Sequence, residues 1–93
     1  MIEIEENFKY HSSTYEFDIK IDGEVRYWIK VNNNDVWMIT RVEYRNRISR
    51  YLIMGCVKTK NQEEVIKWCE EDFRSGNYSK AWDEYMTMQV LNS

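Results

Sequence analysis

Few groups in this chain of 93 residues could do chemistry: one histidine, two cysteines and a scatter of carboxylates. His11 falls in the stretch Tyr10-His11-Ser12-Ser13, a loop with no sequence neighbour to orient an imidazole as a general base. Cys56 and Cys69 do not form a Cys-x-x-Cys pair, and a four-ligand zinc site would have to borrow carboxylates. Glu70, Glu71 and Asp72 are consecutive, so on a helix they point in different directions and make a poor oxygen cage. No G-x-S-x-G elbow, H-E-x-x-H pair or phosphate-binding glycine loop occurs, and three glycines leave little backbone to approach a phosphate. These residue types point to binding without catalysis, metal or cofactor.

Two groups of side chains could bind by charge. The net charge of −3 conceals an order along the chain: residues 1–40 carry −4, residues 41–60 carry +5 and residues 61–93 carry −4. In the basic block, Arg41, Arg45, Arg47 and Arg50 surround Tyr44 and Tyr51, the mix that tracks phosphates and stacks bases. Against a nucleic-acid role stand the sequence pI of about 5.2 and the prospect that Glu63, Glu64, Glu70 or Glu71 neutralises the arginines. The acidic block offers the inverse: Glu63, Glu64, Glu70, Glu71 and Asp72, with Asp83 and Glu84, could imitate a phosphate backbone.

The elements that must position these groups follow from periodicity. Tyr15, Phe17, Ile19 and Ile21 alternate with Glu16, Asp18 and Lys20, a half-buried strand. After Asp22-Gly23 the period resumes with Val25, Tyr27, Ile29 and Val31; the run Asn32-Asn33-Asn34-Asp35 then breaks it. A third strand spans Val36 to Tyr44, and a fourth runs from Ile48 to Val57 beyond an Arg45-Asn46-Arg47 turn. Asn61 with Glu64 resembles a capping box, Val65, Ile66, Cys69 and Phe73 recur at helical spacing, and Gly76 supplies the stop. Ser79 is the expected cap of a shorter second helix presenting Ala81, Trp82, Tyr85, Met86 and Val90. Ile2, Ile4, Phe8 and Tyr10 share a strand parity, with a short helix as the alternative. The fold class is α+β: a four- or five-stranded antiparallel β-meander with two C-terminal helices packed on one face, a single domain over residues 1–93. Without a run of ~20 apolar residues or a basic leader in Met-Ile-Glu-Ile-Glu-Glu, the chain reads as cytoplasmic, with no membrane partner and with reduced thiols.

Register decides which side chains share the helix-covered face. A two-residue loop at Asp22-Gly23 would set Phe17 and Ile19 beside Trp28 and Arg26; a three-residue loop at Asp22-Gly23-Glu24, which pairs Ile21 with Val25 and Ile19 with Tyr27, is preferred because it puts the apolar residues of both strands on one side. A four-residue Asn/Asp loop pairs Val31 with Val36 and Ile29 with Met38. The inner face then includes Val25, Val36, Met38, Val42, Leu52 and Met54. The opposite face keeps Trp28, Trp37, Ile39, Tyr51 and Ile53, ringed by Arg26, Lys30 and Arg41. That is the composition of a contact surface. The N-terminal segment, the second helix, a second copy or a different protein could occupy it.

The run Ile29-Lys30-Val31-Asn32-Asn33-Asn34-Asp35, a strand, a helix ending Asp72-Phe73-Arg74-Ser75-Gly76 and a Trp/Tyr-bearing helix with Asp83-Glu84-Tyr85 together resemble small phage-encoded anti-CRISPR inhibitors that block Cas9. The resemblance covers residues 28–93 in outline, with an added Arg-rich hairpin and fewer acids than a strong DNA mimic. It implies a phage or mobile-element inhibitor that blocks a host protein such as a nucleic-acid-dependent defence nuclease. The expected partner-binding residues are Trp28, Trp37, Ile39, Tyr51, Arg26, Arg41, Arg45, Arg47, Glu70 and Glu71. Two alternatives stand beside it: a nucleic-acid-binding accessory protein using Arg41, Arg45, Arg47 and Arg50, and a homodimeric structural protein.

Overall fold

A computed structural model describes residues 1–7, 15–45 and 47–92. Five strands, β1 (Ile2–Asn7), β2 (Tyr15–Ile21), β3 (Glu24–Val31), β4 (Val36–Arg45) and β5 (Ile48–Lys58), precede two helices, α1 (Gln62–Arg74) and α2 (Asn77–Leu91). The sheet is an antiparallel meander in the order β1-β2-β3-β4-β5. Both helices cover one face: Val65, Cys69, Tyr78 and Trp82 close over Phe17, Ile19, Ile21, Tyr27 and Ile29 in one core. The α+β meander with two C-terminal helices is therefore the observed architecture. The N-terminal residues 2–7 form its fifth strand, whereas Phe8, Tyr10 and His11 lie outside the described residues.

The turns explain both what was legible and what moved. Asp22 and Gly23 have φ of 54° and 89°, so the β2–β3 connection is a two-residue hairpin turn with two left-handed positions, which Asp-Gly favours. Ile21 lies opposite Glu24, and the extra residue sits inside the strand: Lys20 faces Val25 while Ile19 faces Tyr27, leaving Arg26 as a β-bulge. The three-residue loop is thus corrected to two residues plus a bulge, which returns Tyr27 and Ile29 to the core but turns Val25 outward with Lys20.

The second correction is larger. Asn32 N–H donates to the Val36 carbonyl at 3.1 Å and Asp35 has φ of 58°, so the loop holds three residues and Asn32 still belongs to the strand pair. The Asn32 side chain fixes it by accepting from the Asn34 and Val36 amides at 2.9 and 3.1 Å. Val31 consequently faces Trp37 and Ile29 faces Ile39. A one-residue shift exchanges the faces of β4. Trp37 and Ile39 enter the core, 6% and 2% exposed, while Val36, Met38 and Val42 turn to the other side. The Trp37 indole N–H donates to the Thr59 carbonyl at 2.6 Å, and its ring meets Phe17 edge-on at 6.2 Å.

In α1, Asn61 is the N-cap and accepts from Glu63 N–H at 3.0 Å. Glu64 does not complete the capping box; it accepts from the Thr59 hydroxyl at 3.0 Å. Gly76, at φ 89°, ends this helix and is itself the N-cap of α2, so Ser79 lies within α2. At 15 residues α2 exceeds the 13 of α1, and it buries Tyr78 and Trp82 while Met86 and Val90 are exposed.

Candidate functional site

Arginine placement decides which charges remain for recognition. Arg41 sits on the inner side of β4, where its Nε and Nη2 donate to the Asp72 carboxylate at 3.0 and 2.8 Å. The Tyr27 hydroxyl donates to the same carboxylate at 2.7 Å. Asp72 is 5% exposed, so this triad is a fastening between sheet and α1. Its hydrogen bond holds the Arg41 guanidinium above its usual range, burial pushes the Tyr27 phenol up, and burial raises the adjacent Cys69 thiol to about 12. Arg41 and Asp72 are thereby removed from the basic patch and the acidic stripe respectively. Arg26, expected on the outer rim, lies inside, with its guanidinium 5.3 and 5.6 Å from the Phe73 and Tyr78 ring centres. Arg50 donates to the Met86 sulfur at 2.9 Å. The Arg45 side chain lies outside the described residues, and Arg47 is exposed at the hairpin end with φ of 65°.

The acidic stripe is also interrupted. On α1, Glu63, Glu70 and Glu71 share a shallow groove with Ile66, Lys67 and Arg74. Arg74 reaches back to Asp22 at 3.1 Å, and Asp22 binds the N-terminal ammonium at 3.0 Å. Both contacts hold the Asp22 carboxyl below its usual value, the Arg74 hydrogen bond most strongly. Alternating cations break the single-sign surface that phosphate imitation requires.

What is left is the outer face. Trp28 and Tyr51 project there, their rings 6.0 Å apart at 63° across the intervening β4. Tyr51 is 58% and neighbouring Ile53 69% exposed. Thr40, paired with Trp28 on one side and Ile53 on the other, is buried, and its hydroxyl has no hydrogen-bond partner among the described residues. Sequence placed Trp28, Tyr51 and Ile53 here correctly; it added Trp37 and Ile39, which the β4 register takes away.

The face is concave for an identifiable reason. The β3–β4 ladder ends at Tyr27 and Arg41, whereas β4–β5 pairing continues to Arg45 and Ile48. Bulges at Arg26 in β3 and at Met54 in β5 accompany the divergence of the two hairpins there, and a bulge bends and overtwists its strand. On the inner side the Tyr78 hydroxyl donates to the Val42 carbonyl, so the divergence leaves this buried acceptor satisfied. On the outer side the gap is a cavity of about 490 Å³, lined by Val25 and Val42, the rings of Trp28, Tyr44 and Tyr51, Ser49, and the carboxylates Glu16 and Asp18. Glu16 lies 3.9 Å from Lys30 Nζ. Asp18, half-buried opposite Trp28, forms neither hydrogen bond nor ion pair among the described residues.

The three-residue loop expected at Asp22-Gly23-Glu24 also set Asp18 opposite Trp28, because the bulge restores that register beyond Lys20. The place of Val25 was not readable, because nothing in its neighbours announces the bulge. Among the described residues no group of three His, Cys, Asp or Glu side chains could hold a metal, and no helix is long and apolar enough to cross a membrane. No family model, curated protein or solved structure matches the chain.

Proposed function

We propose that this chain is a non-enzymatic binding protein that docks on a larger protein through the outer face of its sheet, with Trp28 and Tyr51 as its aromatic anchors. One observation carries the reading: a sheet whose inner face is already covered by two helices exposes Tyr51 and Ile53 on its outer face, with Tyr51 and Trp28 lining a cavity there. A merely solvated antiparallel face would carry polar residues at those positions. Aromatic side chains in a cavity with a polar rim are where interfaces concentrate their energy. The resemblance to phage-encoded inhibitors makes the partner a host protein, such as a nucleic-acid-dependent defence nuclease, and makes the action steric. The interleaved charges of α1 favour this apolar face over Glu70 and Glu71 as the contact.

Affinity capture from a host lysate tests the reading. Wild-type chain should retain one stoichiometric protein that Trp28→Ala releases while Glu70→Ala retains it. Retention of nothing, or release by Glu70→Ala alone, overturns the proposal. A solution mass twice that of the monomer, lost on Ile53→Glu, would assign the face to self-association instead.

A further inference from the structure

Resting on that protein-binding face, we infer that the outer cavity is an arginine-recognition site: it takes one guanidinium side chain from the partner protein. Its lining joins two features that a generic apolar contact does not need. Trp28, Tyr44 and Tyr51 supply π faces, and Trp28 and Tyr51 meet nearly edge-on, so a ligand can lie on one ring beside the other. Directly opposite Trp28 in the ladder stands Asp18, at the separation of cross-strand neighbours. A planar cation stacked on the indole therefore has a carboxylate within reach of its edge. Guanidinium fits this geometry: it stacks on aromatic faces, presents a fork of N–H donors to a carboxylate and is more weakly hydrated than ammonium.

Charge selects the same ligand. Among the described residues the cavity is lined by two carboxylates and no cation. Lys30 approaches Glu16, which leaves Asp18, among the described residues, as the lining carboxylate without an ion pair or hydrogen bond. Lys20, two residues along the same strand face, turns to Glu5 at 2.8 Å and feels the Asp18 charge only as a minor contribution. A nucleic-acid strand stacking its bases on Trp28 and Tyr51 would set its phosphates against Asp18 and Glu16, so the carboxylates disfavour that occupant. The cavity volume lies within the roughly 300–1,000 Å³ of ligand sites, although its open form suits the tip of a side chain held by a surrounding interface.

The experiment needs no partner. The Trp28 indole N–H resonance, assigned by its loss in Trp28→Phe, is followed while the full chain is titrated with N-acetyl-arginine amide. The expected result is a saturable shift with a dissociation constant of order millimolar, as one side chain alone would give. N-acetyl-citrulline amide, which has the same shape without the charge, should shift it at least about tenfold less strongly. Asp18→Asn should weaken the arginine response by a similar factor. An equal response to citrulline, a stronger one to N-acetyl-lysine amide or to oligo-dT, or none to arginine overturns the assignment. The wild-type comparison of arginine with citrulline decides the matter even if Asp18→Asn folds poorly. Should arginine fail while Trp28→Ala still releases a captured protein, the binding face stands and the arginine site falls; if both fail, the face itself is misassigned.

Discussion

Removing the Asp72 carboxylate should damage this fold more than any other loss of one charge. Its side chain is 3% exposed and receives three hydrogen bonds, two from Arg41 and one from Tyr27, so among the described residues it alone joins the middle of β3 and β4 to α1 by polar contact. In Asp72→Ala the Arg41 guanidinium, 16% exposed, loses its counter-charge, and the buried Tyr27 hydroxyl loses its acceptor. Breaking a buried pair in this way costs about 3–5 kcal/mol, because the surviving charge stays desolvated. A domain of this size has roughly 5–14 kcal/mol to lose. With a urea m-value of about 1–1.5 kcal/mol/M, the unfolding midpoint should fall by roughly 2–5 M, read by tryptophan fluorescence. The companion is the triple substitution Tyr27→Phe, Arg41→Met, Asp72→Leu, which removes every polar partner together and should be more stable than Asp72→Ala. A loss below about 1 kcal/mol for Asp72→Ala, or a triple variant less stable than the single one, would refute the reasoning.

Three further outcomes are expected. Trp37→Ala should cost roughly 3–5 kcal/mol and Tyr51→Ala less than about 1 kcal/mol in urea unfolding, since one ring is core and the other surface; the reverse order would mean that the β4 register is wrong. Burial raises both Cys69, from 9.0 to about 12, and Tyr27, so each favours the folded state while protonated. That stability is complete below the unfolded pKa values and drains away as pH rises from 9 toward 12; Cys69→Ala and Tyr27→Phe should each flatten the alkaline fall of the urea midpoint, and an unchanged slope would contradict the burial argument. Cys56 is exposed and Cys69 buried, so an aromatic disulfide reagent should modify Cys56 at least roughly a hundredfold faster in native protein, with the two rates converging in urea.

The sequence was legible where one local rule acted alone. Strict alternation in β2 assigned Phe17, Ile19 and Ile21 to the core, Asp-Gly gave a hairpin, Asn61 opened α1 and Gly76 closed it. It failed where two rules competed. In β4 both parities are apolar, Val36, Met38 and Val42 against Trp37 and Ile39, so hydrophobicity could not choose a face and loop length had to. Three consecutive Asn and an Asp all tolerate a left-handed backbone, and only the structure shows that Asp35 adopts it while Asn32 stays in the pair. The same blindness shaped the site. Trp28 and Tyr51 were found from strand parity, but the cavity lies beside bulges at Arg26 and Met54, which sequence does not mark. Arg41 and Asp72 looked like surface charges because their partners are 31 residues apart in sequence.

The central claim is that the outer face of the sheet is the contact surface. Methyl and indole cross-saturation on the complex with the captured protein tests it most directly, with Ile53 and the Trp28 indole reporting the outer face and Ile66 reporting α1. Strong saturation transfer to Trp28 and Ile53 with none to Ile66 is the expected result; transfer to Ile66 with Trp28 and Ile53 unaffected would contradict it.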